Sequence, residues 1–123
     1  MSAIRFVILA AAMLLLSGYT QADVEKAQQA AHLFAAEFEK CLAAAETMRL
    51  VSTNISSQDF ALLIKGSCLA EKNKFLVPLA DYIAMKNNAP DSDTGVVLSV
   101  ANSTITQYHD AAVKSFVQIR SSR

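Results

Sequence analysis

The sequence is poor in the residues that interrupt regular structure, since its 123 positions hold only three glycines and two prolines. So few glycines leave no glycine-rich loop that could hold a phosphate group. Charge of either sign is not in excess, because 11 Lys and Arg residues balance 11 Asp and Glu residues. A chain without net charge has no electrostatic reason to bind nucleic acid or an anionic membrane surface.

The side-chain patterns of catalysis and metal binding are also missing. His109 stands next to Asp110, but neighbours on a helix point about 100° apart, so the acid is poorly placed to orient the imidazole. A zinc site made of His32, His109, Cys41 and Cys68 would lack the short paired spacing of zinc ligands. We therefore expect no enzyme, no catalytic residue, no metal site and no cofactor. Both histidines are expected at the surface or its rim.

The first 22 residues have the pattern of a secretory signal peptide. One positive charge, Arg5, precedes an uncharged run from Phe6 to Leu16, and small residues occupy the −3 and −1 positions of a cut after Ala22. The run is about eleven residues long, short of the roughly 20 that span a membrane, so a retained anchor is the weaker alternative. We expect export through the Sec pathway to the periplasm or beyond, without stable membrane insertion. Residues 23–123 then form one mature α-helical domain.

The residues from Asp23 to about Leu50 predict the first helix, because they are rich in the helix formers Ala, Glu, Lys and Gln. Apolar residues recur there at alternating steps of four and three, which places them on one face of a helix. These residues are Ala27, Ala31, Phe34, Phe38, Cys41, Ala45 and Met48. The charged residues that lie largely off this face are Glu25, Glu37, Glu39, Lys40 and Glu46.

A second helix is predicted after a loop over residues 51–56. Ser56 and Asp59 have the spacing of an N-terminal cap. The residues on the predicted inner face are Ala61, Ile64, Cys68, Phe75, Leu79 and Tyr82. Because Pro78 lacks a backbone donor and clashes with the preceding turn, we expect this helix to kink or break near Lys74 to Val77.

Residues 87–93 carry turn formers and a proline, so they predict a linker before the last helix. That helix has an inner stripe with the same steps of three and four. Its members are Val97, Ala101, Ile105, Tyr108, Ala112, Phe116 and Ile119. We therefore predict an all-α fold: a small up-and-down bundle of three long helices, the second kinked or broken near Pro78, or of four shorter helices if it breaks.

The two cysteines predict one disulfide between the first two helices, because exported proteins fold in oxidising compartments. Cys41 lies roughly 14 Å below the connecting loop and Cys68 roughly 17 Å, at about 1.5 Å per helical residue. An antiparallel hairpin therefore places both sulfurs at nearly one level. A pair of free buried thiols is the alternative, and a redox-active pair is disfavoured because no Cys-x-x-Cys spacing is present.

A small helical scaffold without chemistry of its own suggests a bacterial envelope protein that binds another protein. It could act as an inhibitor or immunity protein, or as a stress chaperone. The alternative is a bundle that carries a cofactor or ligand, for example non-covalent haem with Met48 or Met85 as an axial partner. His32 and His109 would lie about 9 Å apart along the bundle axis, which disfavours both binding one iron. The partner and the oligomeric state are not predicted.

Overall fold

The computed structural model describes residues 19–52, 54–87 and 94–122. Within them the chain forms four helices and no strand: α1 (Gln21–Ser52), α2 (Ser57–Gly66), α3 (Leu69–Lys86) and α4 (Thr94–Ser121). The predicted all-helical fold is confirmed, and the described residues form four helices, the alternative count, rather than three long ones. Residues 1–18, with most of the predicted signal peptide, and residues 88–93, with most of the predicted linker, lie outside the described residues.

The additional break separates α2 from α3 at Ser67 and Cys68. The N–H of Ser67 donates to the carbonyl oxygen of Ile64 at 3.2 Å, which closes α2. Cys68 then takes a left-handed backbone conformation, with φ 61° and ψ 36°. That conformation costs a residue with a Cβ about 1–2 kcal/mol. The bond from Cys68 to Cys41 of α1 holds the chain in it.

Pro78 does not end a helix, so the predicted break near it is wrong. It lies inside α3, which continues to Lys86. A proline within a helix leaves the carbonyl four residues earlier without its usual donor. That carbonyl belongs to Lys74, an exposed residue, where water can take the place of the missing N–H.

The helices α1 and α3 form the most extensive pair and run antiparallel. Asp23, near the start of α1, and Met85, near the end of α3, line the same cleft. The start of α3 meets the middle of α1, where Cys41 and Cys68 lie together. The predicted antiparallel pairing of these segments therefore corresponds to α1 against α3.

The last helix, α4, packs against all three others. The ring of Tyr108 lies 5.8 Å from that of Phe38 on α1 and 5.4 Å from that of Phe75 on α3, between centroids. Nearer the end of α4, the ring of Phe116 stacks on that of Phe60 from α2 at 4.1 Å, with 7° between the planes. One core therefore joins the four helices.

The buried apolar cluster follows the predicted stripes in part, and three of its members, Ala35, Leu42 and Phe60, were not among the predicted inner residues. Its members are Ala31, Ala35, Phe38, Leu42, Phe60, Ile64, Phe75, Leu79, Ala101, Ile105, Ala112 and Phe116. Met48 and Ile119 were predicted on the inner faces, but they are 67% and 40% exposed, whereas Glu46 and His109 are buried. A strict seven-residue pattern drifts about 20° per heptad around a straight helix. Over three heptads the buried face therefore moves away from the predicted stripe to the residues beside it on the helix surface.

The start of α1 is fixed by a reciprocal pair of hydrogen bonds, which the sequence reading did not identify. The N–H of Asp23 donates to the hydroxyl oxygen of Thr20, and the N–H of Thr20 donates to the Asp23 carboxylate, both at 3.1 Å. The hydrogen bond that the Thr20 N–H donates to the carboxylate, followed by the effect of the Thr20 side chain, lowers the pKa of Asp23 below its ordinary value. The cleavage predicted after Ala22 would separate the two partners, so the mature helix would begin without this cap.

Candidate functional site

The cysteine pair joins α1 to the junction of α2 and α3. The sulfurs of Cys41 and Cys68 lie 2.06 Å apart and their Cα atoms 6.0 Å apart, so the predicted meeting of the two residues is confirmed. The carboxylate of Glu71 lies within 4.8 Å of both sulfurs. Thiolates bind metals, and bonded sulfurs do not present this form. The pair is therefore a covalent link between helices, and Glu71 lies beside it in the first turn of α3.

The two histidines occupy different surroundings and do not converge. His32 is exposed on α1, whereas His109 of α4 packs against Phe38, six residues further along α1. Six residues correspond to about 9 Å along a helix, the separation expected from the sequence. Only Cys41, Cys68 and Glu71 group as metal-ligand types among the described residues. The predicted surface or rim position is wrong for His109, which is 7% exposed.

His109 is an ionisable group within the apolar core. Its ring meets that of Phe38 edge to face, with centroids 5.7 Å apart and 79° between the planes. Its Nε2 atom is buried and has no hydrogen-bond partner among the described residues. A buried polar atom without a partner costs about 1–3 kcal/mol. The imidazole is therefore a local weakness in the packing of α4.

The surroundings of His109 oppose its protonation. Burial lowers its pKa below the ordinary value of 6.5, because the charged form would lose its hydration. The positive charges of Lys72 on α3 and Lys65 on α2 lower the pKa further, and Asp110 offsets part of this effect. The neighbouring Tyr108 also responds to burial, which, with the charge of Glu39, raises its pKa. At neutral pH the core holds a neutral imidazole.

This lowered pKa links the stability of the fold to pH. Well above 6.5 the imidazole is neutral in both the folded and the unfolded chain, so it adds no pH dependence there. As the pH falls below that value, the unfolded chain binds the proton first. The free energy of unfolding then decreases until the pH has passed the lowered pKa of the folded state. His109 therefore acts as an acid-sensitive element of the core.

Glu46 is the second buried ionisable residue and lies on the inner face of α1. It is 8% exposed, and its Oε1 atom has no hydrogen-bond partner among the described residues. It follows Phe38 by two helical turns, about 12 Å along the axis, so it lies at a different level from His109. Such groups are rarely buried without partners. The core thus contains two ionisable groups whose burial opposes the stability of the packing.

A cleft of about 130 Å³ opens where α1, α3 and α4 meet. Phe75, Leu79 and Tyr108 form much of its wall, and His32 and Tyr82 also line it. Its volume approaches the roughly 150 Å³ of cavities that hold one benzene molecule. A haem, built on four pyrrole rings, is larger and does not fit.

The side chains considered as haem ligands are also dispersed. His32 lines the cleft described above, but His109 is not among the residues that line it. Met48 is exposed near the end of α1, and Met85 lines a separate cleft beside Pro78. These residues therefore do not form a haem site in this fold.

Comparison with protein-family models, with curated proteins and with solved structures finds no match to this chain. Among the described residues, none of the helices has the length and apolar character needed to cross a bilayer.

The sequence reading missed His109 and Glu46 because it counted only apolar residues in the stripes. On α4 the buried positions follow steps of four from Val97 through Ala101 and Ile105 to His109. On α1 a step of four leads from the buried Leu42 to Glu46. Continuing each stripe at its own spacing, whatever the residue type, would have placed both ionisable groups in the core.

Proposed function

We propose that this chain is an exported, non-enzymatic bacterial protein that binds other proteins, and that it acts as an acid-responsive chaperone. In this proposal it works in the periplasm or outside the cell. It is an up-and-down bundle whose second long segment is interrupted at Ser67 and Cys68, between α2 and α3. The observation that carries the proposal is the buried, neutral imidazole of His109, whose Nε2 atom has no hydrogen-bond partner among the described residues. Mild acid weakens the packing there and makes apolar core surface available to unfolded clients.

An inhibitor or immunity protein would need a preformed binding face at neutral pH. The strongly exposed apolar residues are spread over all four helices rather than concentrated on one of them. They include Leu33, Met48, Val51, Leu62, Val77 and Val96. Single exposed apolar residues are common on soluble proteins and do not define an interface. The buried ionisable groups are the less common feature, and they favour the acid-responsive form of protein binding.

Lowering the pH from about 7.5 to about 4.5 is expected to increase the binding of an apolar-sensitive dye to the oxidised chain. His109→Leu replaces the ionisable ring with an apolar side chain at the same place. We expect this variant to keep low dye binding over the range in which the wild-type signal rises. The same samples are tested for suppression of light scattering from a client protein that aggregates in acid.

His32→Leu is the matched control, because it also removes one histidine but at an exposed position. This variant is expected to keep the acid response of the wild type. The chaperone proposal fails if the wild-type chain does not suppress client aggregation in acid. It also fails if His109→Leu suppresses aggregation as well as the wild type, because the response would then not depend on the buried imidazole.

A second candidate function is carriage of a small apolar ligand in the cleft between α1, α3 and α4. Its size and its aromatic lining by Phe75, Tyr82 and Tyr108 favour a ligand with one aromatic ring. Titration with indole should then shift the NMR signals of the two tyrosine rings together with that of His32. Shifts spread over the whole chain would contradict a defined site.

An absorption spectrum of the protein from its native compartment tests for haem directly.

A further inference from the structure

We infer that α4 is the element that leaves the core in acid, and that the face it uncovers on α1, α2 and α3 binds an amphipathic apolar segment of a client polypeptide. This inference rests on the proposed chaperone function and names the surface that performs it. Its apolar centre comprises Phe38, Phe60, Phe75 and Leu79, four residues of the core that α4 helps to cover.

The covalent link divides the molecule into two parts. The bond between Cys41 and Cys68 ties α1 to the junction of α2 and α3, and no free cysteine is left among the described residues. The helix α4 is connected to this unit only through the chain that follows Lys86. Loss of packing therefore allows α4 to separate while α1, α2 and α3 stay together. The extensive contact between α1 and α3 supports the same division.

The two parts also contribute unequally to the core. The disulfide-linked unit supplies most of the large apolar side chains, including three phenylalanines. From α4 come the small Ala101 and Ala112 together with Ile105 and Phe116. With the buried Val97 and the partly buried Tyr108 and Val113, α4 still supplies the smaller share of the large apolar side chains. Removing α4 leaves a face that is itself rich in aromatic rings. Such a face suits the non-directional binding of unfolded chains.

The charges around His109 make its protonation unfavourable for the packing of α4 against the other helices. Lys65 of α2 and Lys72 of α3 act on the imidazole from two helices, while Asp110 is its nearest acidic neighbour along α4. On α1, Phe38 contacts the ring, and the buried acid on the same helix is Glu46. A protonated His109 would therefore be repelled by groups of the unit that it must pack against.

The C-terminal end of α4 carries a contact that acid does not remove. The guanidinium of Arg120 donates hydrogen bonds to the carbonyl oxygen of Ile55 and to Oδ1 of Asn54, the latter at 2.8 Å. It also lies 5.1 Å from the centre of the Phe116 ring. Both acceptors are amide oxygens, which do not titrate in this range. We expect α4 to open around His109 first, with its C-terminal end leaving last.

The client segment that fits the uncovered face resembles α4 in its apolar pattern but carries no positive charge at the position of His109. The buried side of α4 has apolar residues at steps of three and four, so an amphipathic segment with small and apolar residues at that spacing fits the same groove. Lys65 and Lys72 remain beside the position of His109. They favour a segment that carries a neutral or acidic residue there.

Hydrogen exchange measured by mass spectrometry on the full oxidised chain tests which element opens. At about pH 5, after correction for intrinsic exchange, peptides from α4 are expected to lose protection while peptides around Phe38 and Phe75 keep it. Simultaneous loss of protection in all helices would overturn the inference. Dye binding and client protection could still be observed in that case, so this result would not remove the proposed function. Unchanged protection of α4 would also overturn it.

A second measurement tests whether an amphipathic segment binds the face that α4 uncovers. The probe is a fluorescent synthetic peptide of residues 94–122 with His109→Leu, which has the apolar pattern of α4 without its ionisable ring. It is expected to bind the full chain one to one, at least about tenfold more tightly near pH 5 than near pH 7.5. Equal binding at both values, or none in acid, contradicts the inference. A dimer formed without the peptide would show that a second copy fills the face, and that also overturns it.

Discussion

Removing the Cys41–Cys68 bond is expected to lower the free energy of unfolding by about 3.5 kcal/mol, because the unfolded chain regains the freedom that a 27-residue loop denies it. A domain of this size has a total stability of about 5–15 kcal/mol, so the loss is a large fraction of the whole. Urea unfolding of the wild type and of the double variant Cys41→Ser with Cys68→Ser measures the difference. The wild type with reductant should give a similar value.

A matched variant separates the cross-link from the backbone at Cys68. Combining Cys41→Ser with Cys68→Gly removes the same bond but places glycine where φ is 61°. Glycine adopts this conformation without the steric cost that serine meets, so this variant should be about 1 kcal/mol more stable than the double serine variant. A loss on reduction below about 1 kcal/mol would contradict the role of the bond as the main link between α1 and α3.

Phe38→Ala is expected to lower the free energy of unfolding by about 3–5 kcal/mol, the usual range when a phenylalanine is removed from a core. Phe38 is fully buried, at 0% exposed, and its ring meets those of Phe75, Tyr108 and His109. Its loss leaves a cavity where α1, α3 and α4 meet. Urea unfolding at neutral pH measures the effect while the imidazole is neutral.

Leu33→Ala provides the control on the same helix, because Leu33 is 60% exposed. A substitution at such a position usually changes stability by less than about 0.5 kcal/mol. If the two variants lost similar stability, the arrangement in which Phe38 is the common contact of three helices would be wrong. A smaller loss for Phe38→Ala than for Leu33→Ala would contradict it more strongly.

The fold class and the cysteine pairing could be predicted because both depend on helical geometry. The apolar steps of three and four fixed the inner face of each long helix, and the lengths on either side of the loop placed Cys41 and Cys68 at one level. Ser56 was also recognised as a cap, and the N–H of Asp59 donates to its hydroxyl oxygen at 3.0 Å. The helix faces, the level of the two cysteines and the Ser56 cap could therefore be predicted from residue spacing along the chain.

The break between α2 and α3 depended on tertiary structure, so the sequence did not place it. Pro78 was the stronger local signal, yet the helix passes through it, because the carbonyl that loses its donor belongs to the exposed Lys74, where water can satisfy it. The interruption falls at Cys68, where a bond to another helix holds a conformation that a residue with a Cβ rarely adopts. A propensity scale contains no term for this constraint.

The candidate site was missed for a related reason. Histidine and glutamate are usually placed at the surface, so the stripes were continued only through apolar residues and left His109 and Glu46 out of the core. Their burial follows from how α1 and α4 rotate to pack their neighbours, which depends on the drift of the stripe over several turns. A pattern that departs from the general rule of polar residues outside is expected where function opposes stability.

The most direct test of the account is the pKa of His109 in the folded, oxidised chain, measured from its imidazole signals in an NMR titration. His32→Leu identifies which signal belongs to which histidine. The account predicts a value below the ordinary 6.5, with the signal of the folded form lost as the chain opens in acid. A value at or above 6.5 in a chain that stays folded would contradict it, because a solvated or paired imidazole could not make the packing of α4 sensitive to acid.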